Sequence, residues 1–379
     1  MVSTGYVPII PSRVGAVEPY IYDLSKNLSL AHDVHVFGTG QGAEEKGNLH
    51  VQAFNYKETL PYMLERPLGH RLAFQIPFNI CLFKKFCDLN KKQHVDVLHI
   101  HDANSGFAAG AIGKTFHTPW VCSIHNEIRS TASIQNCNKV LAVSNYIKNF
   151  LTKQRRLNEN KVEVLNMAID PNLYKRNKKI EQAKETLKLS SYNIILFVGR
   201  KCPEKGPQIL INALPKIIES NPRALGVFVG PDYTFGSNYE SYTNILEIRA
   251  KELGIEKHTS FYSFVSQSLL ERFYEAADVV VFPSIWQEPF GKVILEAMSY
   301  EIPVIASNVG GVPEIVINDL NGLMVPPGDS NVLAKSVNYL LRNPESAKNM
   351  GAEGKKTVLD KYTFEQIGKQ CNQIYNEIA

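Results

Sequence analysis

Short apolar runs rich in β-branched residues recur along the chain, and stretches of helical periodicity lie between them. In the first half the runs fall at residues 34–37, 95–100, 119–124 and 139–143, and in the second at 194–198, 224–229, 279–282 and 304–306. Continuous apolar strands separated by helices predict parallel sheets covered on both faces. Two such series predict an α/β protein of two doubly wound domains. The charged, coil-like stretch 170–185 is the natural linker. Ligands of such sheets bind beyond the carboxyl ends of the strands, and with two domains the expected site is the cleft between them. The start is unusual. Residues 1–6 leave almost nothing for a buried strand before the loop from Pro8 to Gly15, so either the first strand is very short or the natural start codon lies upstream.

The densest pattern runs from 282 to 311, FPSIWQEPFGKVILEAMSYEIPVIASNVGG. It reads as a strand end, a polar loop, a glycine, an amphipathic helix, a second strand and a glycine turn. A helix starting near Gly291 points free N–H groups and its positive dipole end at the loop, which suits an anion such as diphosphate. Gly291 lets a ligand approach the backbone. Glu288 lies before the helix and Glu296 inside it, roughly 7–8 Å further along at 1.5 Å per residue. Carboxylates so spaced cannot share one proton, but they can hold hydroxyls at two ends of an extended ligand. Taken alone they equally read as a loop carboxylate and a solvated helix glutamate.

Gly199-Arg200-Lys201-Cys202-Pro203-Glu204-Lys205-Gly206 follows the run 194–198 directly. Arg200 and Lys205 on one strand end can neutralise a diphosphate, the Arg bidentately and the Lys as a point charge. The plainer reading is a basic surface turn. His99 and His101 alternate onto one side of their strand, and His125 ends the next. No carboxylate–histidine spacing of a zinc site accompanies them, so the expectation is contact to a sugar hydroxyl for His125 and a structurally satisfied ring for His99. Gly38-Thr39-Gly40-Gln41-Gly42 reads as a loop, because a strand-like run and not a crossover helix follows it. There is no Asp-x-Asp pair to carry a divalent cation to a diphosphate.

Composition narrows the choices. A chain of 379 residues suits two domains. No apolar run is long enough to span a bilayer, and no signal-peptide pattern opens the chain. Six scattered cysteines without CxxC or His/Cys pairing favour free thiols. The formal charge of +4 falls within the first ~170 residues. Lys148, Lys153, Arg155, Arg156 and Lys161 cluster there, readable as a patch for anionic lipid or an anionic acceptor, or as a solvated helix face. No basic stripe is interleaved with aromatics, so nucleic acid is not an expected partner. The run 71–86 is read as a core-facing helix in preference to a membrane-surface helix, because Pro77 interrupts any long amphipathic face.

Together these residues resemble the family 4 (group 1) glycosyltransferases over nearly the whole length. The donor signature is Gly199-Arg200 with Lys205-Gly206, Glu288-Pro289-Phe290-Gly291 with Glu296-Ala297-Met298, Gly310-Gly311-Val312-Pro313-Glu314, and Gly322 to Asp329. The resemblance implies a GT-B fold: two Rossmann-like domains, 1–170 (completed by a C-terminal helix at 360–379) and 171–359, facing across a cleft. It also implies roles. Arg200 and Lys205 hold the donor diphosphate, Glu288 the transferred sugar and Glu296 the ribose. The backbone of Phe290, Gly291 and Lys292 lines sugar and phosphate, Val265 sits near the base, and His125 faces the reaction centre. Gly15 and Ala16 form the loop before the first helix.

The resemblance further implies a retaining, metal-independent transfer without a cofactor, from a nucleoside diphosphate sugar to a glycan or lipid-linked acceptor. The location implied is cytoplasmic, with peripheral contact to the inner membrane face through the first domain. Three positions depart from the pattern: Ala16 stands where a second glycine is usual, Ala168 replaces a hinge glycine, and Ser263 replaces a glycine near the base. Alternatives are a catalytically silent paralogue acting as a binding subunit, and a GT-B sugar epimerase.

Overall fold

The computed structural model describes residues 1–4, 9, 15–40, 42–54, 65–175, 180–235 and 240–379. Most of the Pro8 to Gly15 loop, Gln41, residues 176–179 of the expected linker and the side chains of 71–74 lie outside them. The chain forms two compact units, residues 1–168 with 364–379, and residues 169–363. Both hold parallel sheets with helices between successive strands.

The first unit contains α1 (Val17–Leu28), β1 (Val34–Thr39), β2 (Ala43–Lys46), β3 (Leu49–Phe54), α2 (Glu65–Asn90), β4 (Leu98–Ile100), α3 (Gly106–Phe116), β5 (Trp120–Ile124), β6 (Lys139–Ala142), α4 (Asn145–Asn149) and β7 (Val162–Val164). Strands β4-β5-β6-β7 run parallel, and β1 pairs with β3, which β2 flanks antiparallel. Val2 joins the two sets, bridging Phe37 on one side and Ile100 on the other. Its N–H donates to His99 O at 2.8 Å and its carbonyl accepts from His101 N at 3.1 Å. Val2 is fully buried.

The second unit contains α5 (Ile180–Thr186), β8 (Asn193–Val198), α6 (Pro207–Ser220), β9 (Ala224–Val229), β10 (Thr234–Phe235), β11 (Glu240–Ser241), α7 (Tyr242–Glu252), β12 (Thr259–Tyr262), α8 (Gln267–Ala276), β13 (Val279–Phe282), α9 (Lys292–Ser299), β14 (Val304–Ser307), β15 (Leu323–Val325), α10 (Ser330–Arg342) and α11 (Pro344–Lys361). Its sheet order is β12-β9-β8-β13-β14-β15, all parallel. The strand order reverses between β8 and β13, which is where open α/β sheets part their loops and take ligands. The core is built from fully buried strand residues such as Ile195, Phe228, Val281 and Ile305 against Leu210, Leu214, Leu246 and Val337 of the helices.

The last helix, α12 (Phe364–Ile378), belongs to the first unit and packs on α1. Its Tyr375 hydroxyl meets His99 Nδ1 at 2.5 Å.

Three expectations are corrected. The stretch 170–185 is not coil throughout, because α5 begins at Ile180 and buries Ala183 and Lys184. The glycine-rich run at 38–42 is not all loop: Gly38 and Thr39 finish β1, and β2 opens at Ala43. Pro77 does not interrupt α2. The helix runs through it, and Phe78, Leu82 and Phe86 are buried on one face at i, i+4, i+8 while Ile80 is exposed. This is the core-facing helix expected over the described part of 71–86. Leu82→Ala therefore destabilises the protein by about 2–5 kcal/mol, whereas Ile80→Ala stays within about 0.5 kcal/mol. Urea unfolding of the two variants checks this, and equal effects would contradict the assigned face.

Candidate functional site: strand-end loops and a histidine column

In the second unit, the loop after β8 and the loop after β13 meet through one ion pair. Lys205 closes a 3₁₀ turn (Pro203–Lys205) just before α6. Its Nζ donates to both carboxylate oxygens of Glu288, at 2.7 and 2.9 Å. Glu288 is buried, with 3% of its surface exposed. The Ser284 hydroxyl lies 2.7 Å from Glu288 Oε1. Lys205 Nζ also stands 5.9 Å from the ring centroids of both Phe282 and Trp286, a wall that lowers the local dielectric and strengthens every charge interaction inside.

Two glycines make the approach possible. Gly206, at φ +72°, would place a Cβ 2.0 Å from Pro283 O. Gly310, at φ +53°, would place one 2.1 Å from Glu288 O. Only glycine meets both the backbone angle and the space. The neighbouring Gly311 N donates to Glu288 O at 2.7 Å, so a third loop, after β14, is tied to the same residue.

Arg200 is exposed and has no ion pair among the described residues. The residue beside it was not singled out from sequence. Lys201 is fully buried, and its ammonium donates to Gly230 O and, at 3.0 Å, to Tyr262 O. Burial lowers its pKa, opposed by Asp232 and Glu247. It ties the Arg200 turn to the ends of β9 and β12. A buried lysine inside a G-R-K-C-P run leaves no periodic signal, since the surrounding turn looks uniformly basic.

Helix α9 starts directly after Gly291, as the sequence predicts, and Gly291 caps it in a left-handed conformation (φ +119°). Phe290 turns its ring into the core, 5.7 Å from Tyr362 and edge-on, so its backbone is what remains for a ligand. Lys292 reaches back to Glu296 at 3.9 Å, and the Tyr274 hydroxyl donates to Glu296 Oε2 at 2.9 Å. Burial raises the Glu296 pKa, with Lys292 and the tyrosine hydrogen bonds opposing it. The bland reading of Glu288 and Glu296 as surface acids is therefore wrong for both. Val265 is half-buried in the loop between β12 and α8, beside an exposed Phe264.

In the first unit, β4 and β5 end in a column of imidazoles. His99 stacks on His101 at 4.2 Å between centroids, and His101 on His125 at 5.4 Å. His99 is satisfied by Ser123 Oγ at 2.8 Å and by Tyr375, the structural role expected of it. His101 Nδ1 and His125 Nε2 lie 3.2 Å apart and share one hydrogen. His101 Nε2 and His125 Nδ1 are buried without a partner, an arrangement rare enough in folded proteins to need a reason. Burial pushes His125 down to about 4 and holds His99 and His101 well below the ordinary histidine value. Gly15 (φ +88°) and Ala16 are both exposed just ahead of α1.

The basic cluster of the sequence is divided. Lys153, Arg155 and Arg156 are exposed, but Lys161 donates to Gln135 O and Cys137 O. Among the described residues no helix is long and apolar enough to cross a membrane.

In the second unit the charged donors and carboxylates thus gather at the strand-order reversal of a doubly wound sheet. Residues 178–357 match the family model described as glycosyl transferases group 1, and residues 15–173 that of glycosyltransferase family 4. The chain is 30% identical over 398 residues to an uncharacterized glycosyltransferase of Methanocaldococcus jannaschii, spanning 99% of this chain and 97% of that one. It is 25% identical over 378 residues to N-acetyl-alpha-D-glucosaminyl L-malate synthase of Bacillus anthracis, spanning 94% and 92%. Among solved structures, Anabaena HepE in complex with UDP has the same fold, with a TM-score of 0.79 at 21% identity over 99% of this chain and 98% of that one. The protein belongs to the family 4, group 1 glycosyltransferases and is an enzyme of that class.

Two outcomes test the site as built. Lys205→Ala strands a buried carboxylate and costs about 3 kcal/mol, the lower end of the range because Lys205 retains some exposure. The exposed Arg200→Ala costs no more than about 0.5 kcal/mol. Denaturant melts decide, and equal stabilities would refute the buried pair.

The histidines fix a pH dependence. Above pH 6.5 they are neutral in both folded and unfolded states and contribute nothing. As pH falls from 6.5 toward 4, the unfolded chain takes up protons that folded His125 refuses, so stability falls. His125 alone accounts for about 3 kcal/mol by the lower end. His125→Phe should flatten the Tm-versus-pH curve over that window, and an unchanged slope would exclude the assignment.

Proposed function

We propose that the protein is a retaining, metal-independent transferase. It moves a hexose-type sugar from a nucleoside diphosphate sugar to a glycan or lipid-linked acceptor, on the cytoplasmic side and with peripheral access to a membrane. The observation that carries this reading is the buried Lys205–Glu288 pair at the β8/β13 reversal, with Arg200 unpaired on the same strand-end turn. Arg200 and Lys205 take the diphosphate, and the α9 start at Gly291 adds its dipole. Glu288 takes hydroxyls of the transferred sugar, and Glu296, already oriented by Tyr274 and Lys292, takes the ribose. The backbone of Phe290, Gly291 and Lys292 lines the sugar and phosphates, and Val265 borders the base. Gly15, Ala16 and His125 belong to the first unit and serve the sugar and acceptor side, the neutral His125 offering its open Nδ1 to a hydroxyl.

Chemically the protein's task is to stabilise the charge that develops on the leaving diphosphate. Preorganised cations and N–H dipoles do this without reorganisation. A leaving-phosphate oxygen assists removal of the acceptor proton, which gives same-face substitution. UDP is the first donor nucleotide to try, because HepE was solved with UDP and with UDP-glucose.

The test is a donor panel of UDP-, GDP- and ADP-sugars, assayed for hydrolysis and for transfer in the presence of EDTA, with anomeric configuration of the product read by NMR. Arg200→Ala and Glu288→Gln are each expected to lower kcat/KM by about 10²–10³-fold. Full activity in both variants would overturn the site assignment. Nucleotide binding without turnover on any donor would instead indicate a silent binding subunit.

A further inference from the structure

At the β1–β3–β2 edge of the first unit lies a cluster of metal-ligating side chains that the proposed reaction does not use. Sheet register creates it. His35 of β1 pairs with His50 of β3 in the parallel ladder, and His50 pairs with Glu45 of β2 in the antiparallel one. Directly paired residues project from the same face, so His35, His50 and Glu45 form one row across three strands. Asp33, two residues before His35, shares that face. The two imidazoles stack at 4.6 Å with 14° between their planes. Asp33 Oδ1 is 2.9 Å from His50 Nε2, and Asp33 Oδ2 is 3.4 Å from His35 Nε2. One ligand atom from each of the three lies within 4.8 Å of the others, and among the described residues no other such group occurs.

We propose that Asp33, His35 and His50 form a binding site for a divalent transition metal, with zinc the cation best matched to the donors. Two imidazole nitrogens and one carboxylate are a frequent zinc set, and tetrahedral bonds of ~2.0–2.1 Å place donors ~3.3 Å apart, against 2.9 and 3.4 Å from the two Asp33 oxygens to His50 and His35. The surroundings fit a cation as well. Glu45 Oε1 stands 3.6 Å from His50 Nδ1, on the side away from Asp33. A metal-bound histidine usually gives its second N–H to such a carboxylate. Gln93 Nε2 lies 2.7 Å from His35 Nε2 and 3.0 Å from Asp33 Oδ2. An electropositive NH₂ thus stands between two acceptors where a cation would sit. Turned over, the same amide offers its oxygen as a fourth ligand. The site is reachable through an adjoining cavity of about 490 Å³ lined by His32, His94 and Asp96 as well as by Asp33, His35 and Gln93.

His35 is the second residue of β1, at the opposite end of the strands from His101 and His125. A metal there clips β1 to β3, and through Glu45 to β2. Its effect is on the stability of this edge and not on sugar transfer.

The full chain, stripped with EDTA, is titrated with ZnCl₂ by calorimetry and thermal unfolding, and with CoCl₂ by visible absorption. One equivalent should bind, raise Tm and give cobalt d–d bands without thiolate charge transfer. Asp33→Asn and His50→Gln should each lose at least about 100-fold in affinity, and Glu45→Gln about 10–100-fold. Donor-sugar turnover should be unchanged in all three. Asp33 is half exposed, so Asp33→Asn keeps the test open if His50→Gln fails to fold. No saturable binding by the wild-type chain, a thiolate-type cobalt spectrum, or undiminished affinity in Asp33→Asn overturns the proposal.

Discussion

Glu288 is where the strand-end loops of the second unit meet. Its carboxylate receives Lys205 from the β8 loop and lies against Ser284 of its own loop. Its carbonyl receives Gly311 from the β14 loop, and Gly310 can pass only because it lacks a Cβ. Ile285 N closes the circuit on Glu204 O at 2.9 Å. A carboxylate at this depth would cost several kcal/mol unpaired, so its partners are obligatory. Such a pair is a weak source of net stability, because desolvation offsets most of the attraction. What it does secure is geometry: an ammonium held at the strand-order reversal before any anion arrives. In the proposed reaction a diphosphate sharing Lys205 would find the dipoles already oriented, which is the condition under which electrostatic stabilisation is most effective.

The first unit works with neutral groups. Three stacked imidazoles cannot all carry charge in a buried column, and desolvation settles the matter by lowering every one of them. His99 is fully engaged by Ser123 and Tyr375. The outer pair is not, because one shared hydrogen leaves His101 Nε2 and His125 Nδ1 open. Burying such atoms without a partner is unfavourable, and a hydroxyl-bearing ligand would relieve it. The contribution of α12 is specific here. By returning to the first unit it supplies Tyr375, which fixes the inner histidine on which the other two stack.

Much of this was legible in the chain. Long apolar β-branched runs such as 194–198 and 224–229 announce parallel strands, and the helix after Gly291 starts where the glycine and the periodicity place it. Short strands escaped. Val162–Val164 and Leu323–Val325 are three residues each, too brief for a period, and Thr259–Tyr262 is too polar to stand out. Pro77 misled because a proline inside a helix costs local hydrogen bonding yet is tolerated when Phe78, Leu82 and Phe86 bury a continuous face. The residues of the candidate site were recognisable by motif, but their physical state was not. That Glu288 is buried and Lys201 carries no exposed surface depends on loops from distant strands closing over them, which no local pattern encodes.

One residue type shows how strand position divides fates. The β1 and β4 strands both carry histidines, brought beside other imidazoles by register with β3 in the first case and by alternation along the strand in the second. His101 and His125 lie just past the carboxyl ends of β4 and β5, where His101 Nε2 and His125 Nδ1 stay buried without a partner. His35 lies near the amino end of β1, beside the edge strands, with carboxylates Asp33 and Glu45 in reach. The same imidazole is thus kept neutral by burial at one end and set among acids at the other, suited to a cation. Because register sets both arrangements, a one-residue slip of β1 against β3 would place His35 and His50 on opposite faces. A metal bridging them would oppose that slip, so the proposed cation and the sheet register stabilise each other at the edge of the sheet.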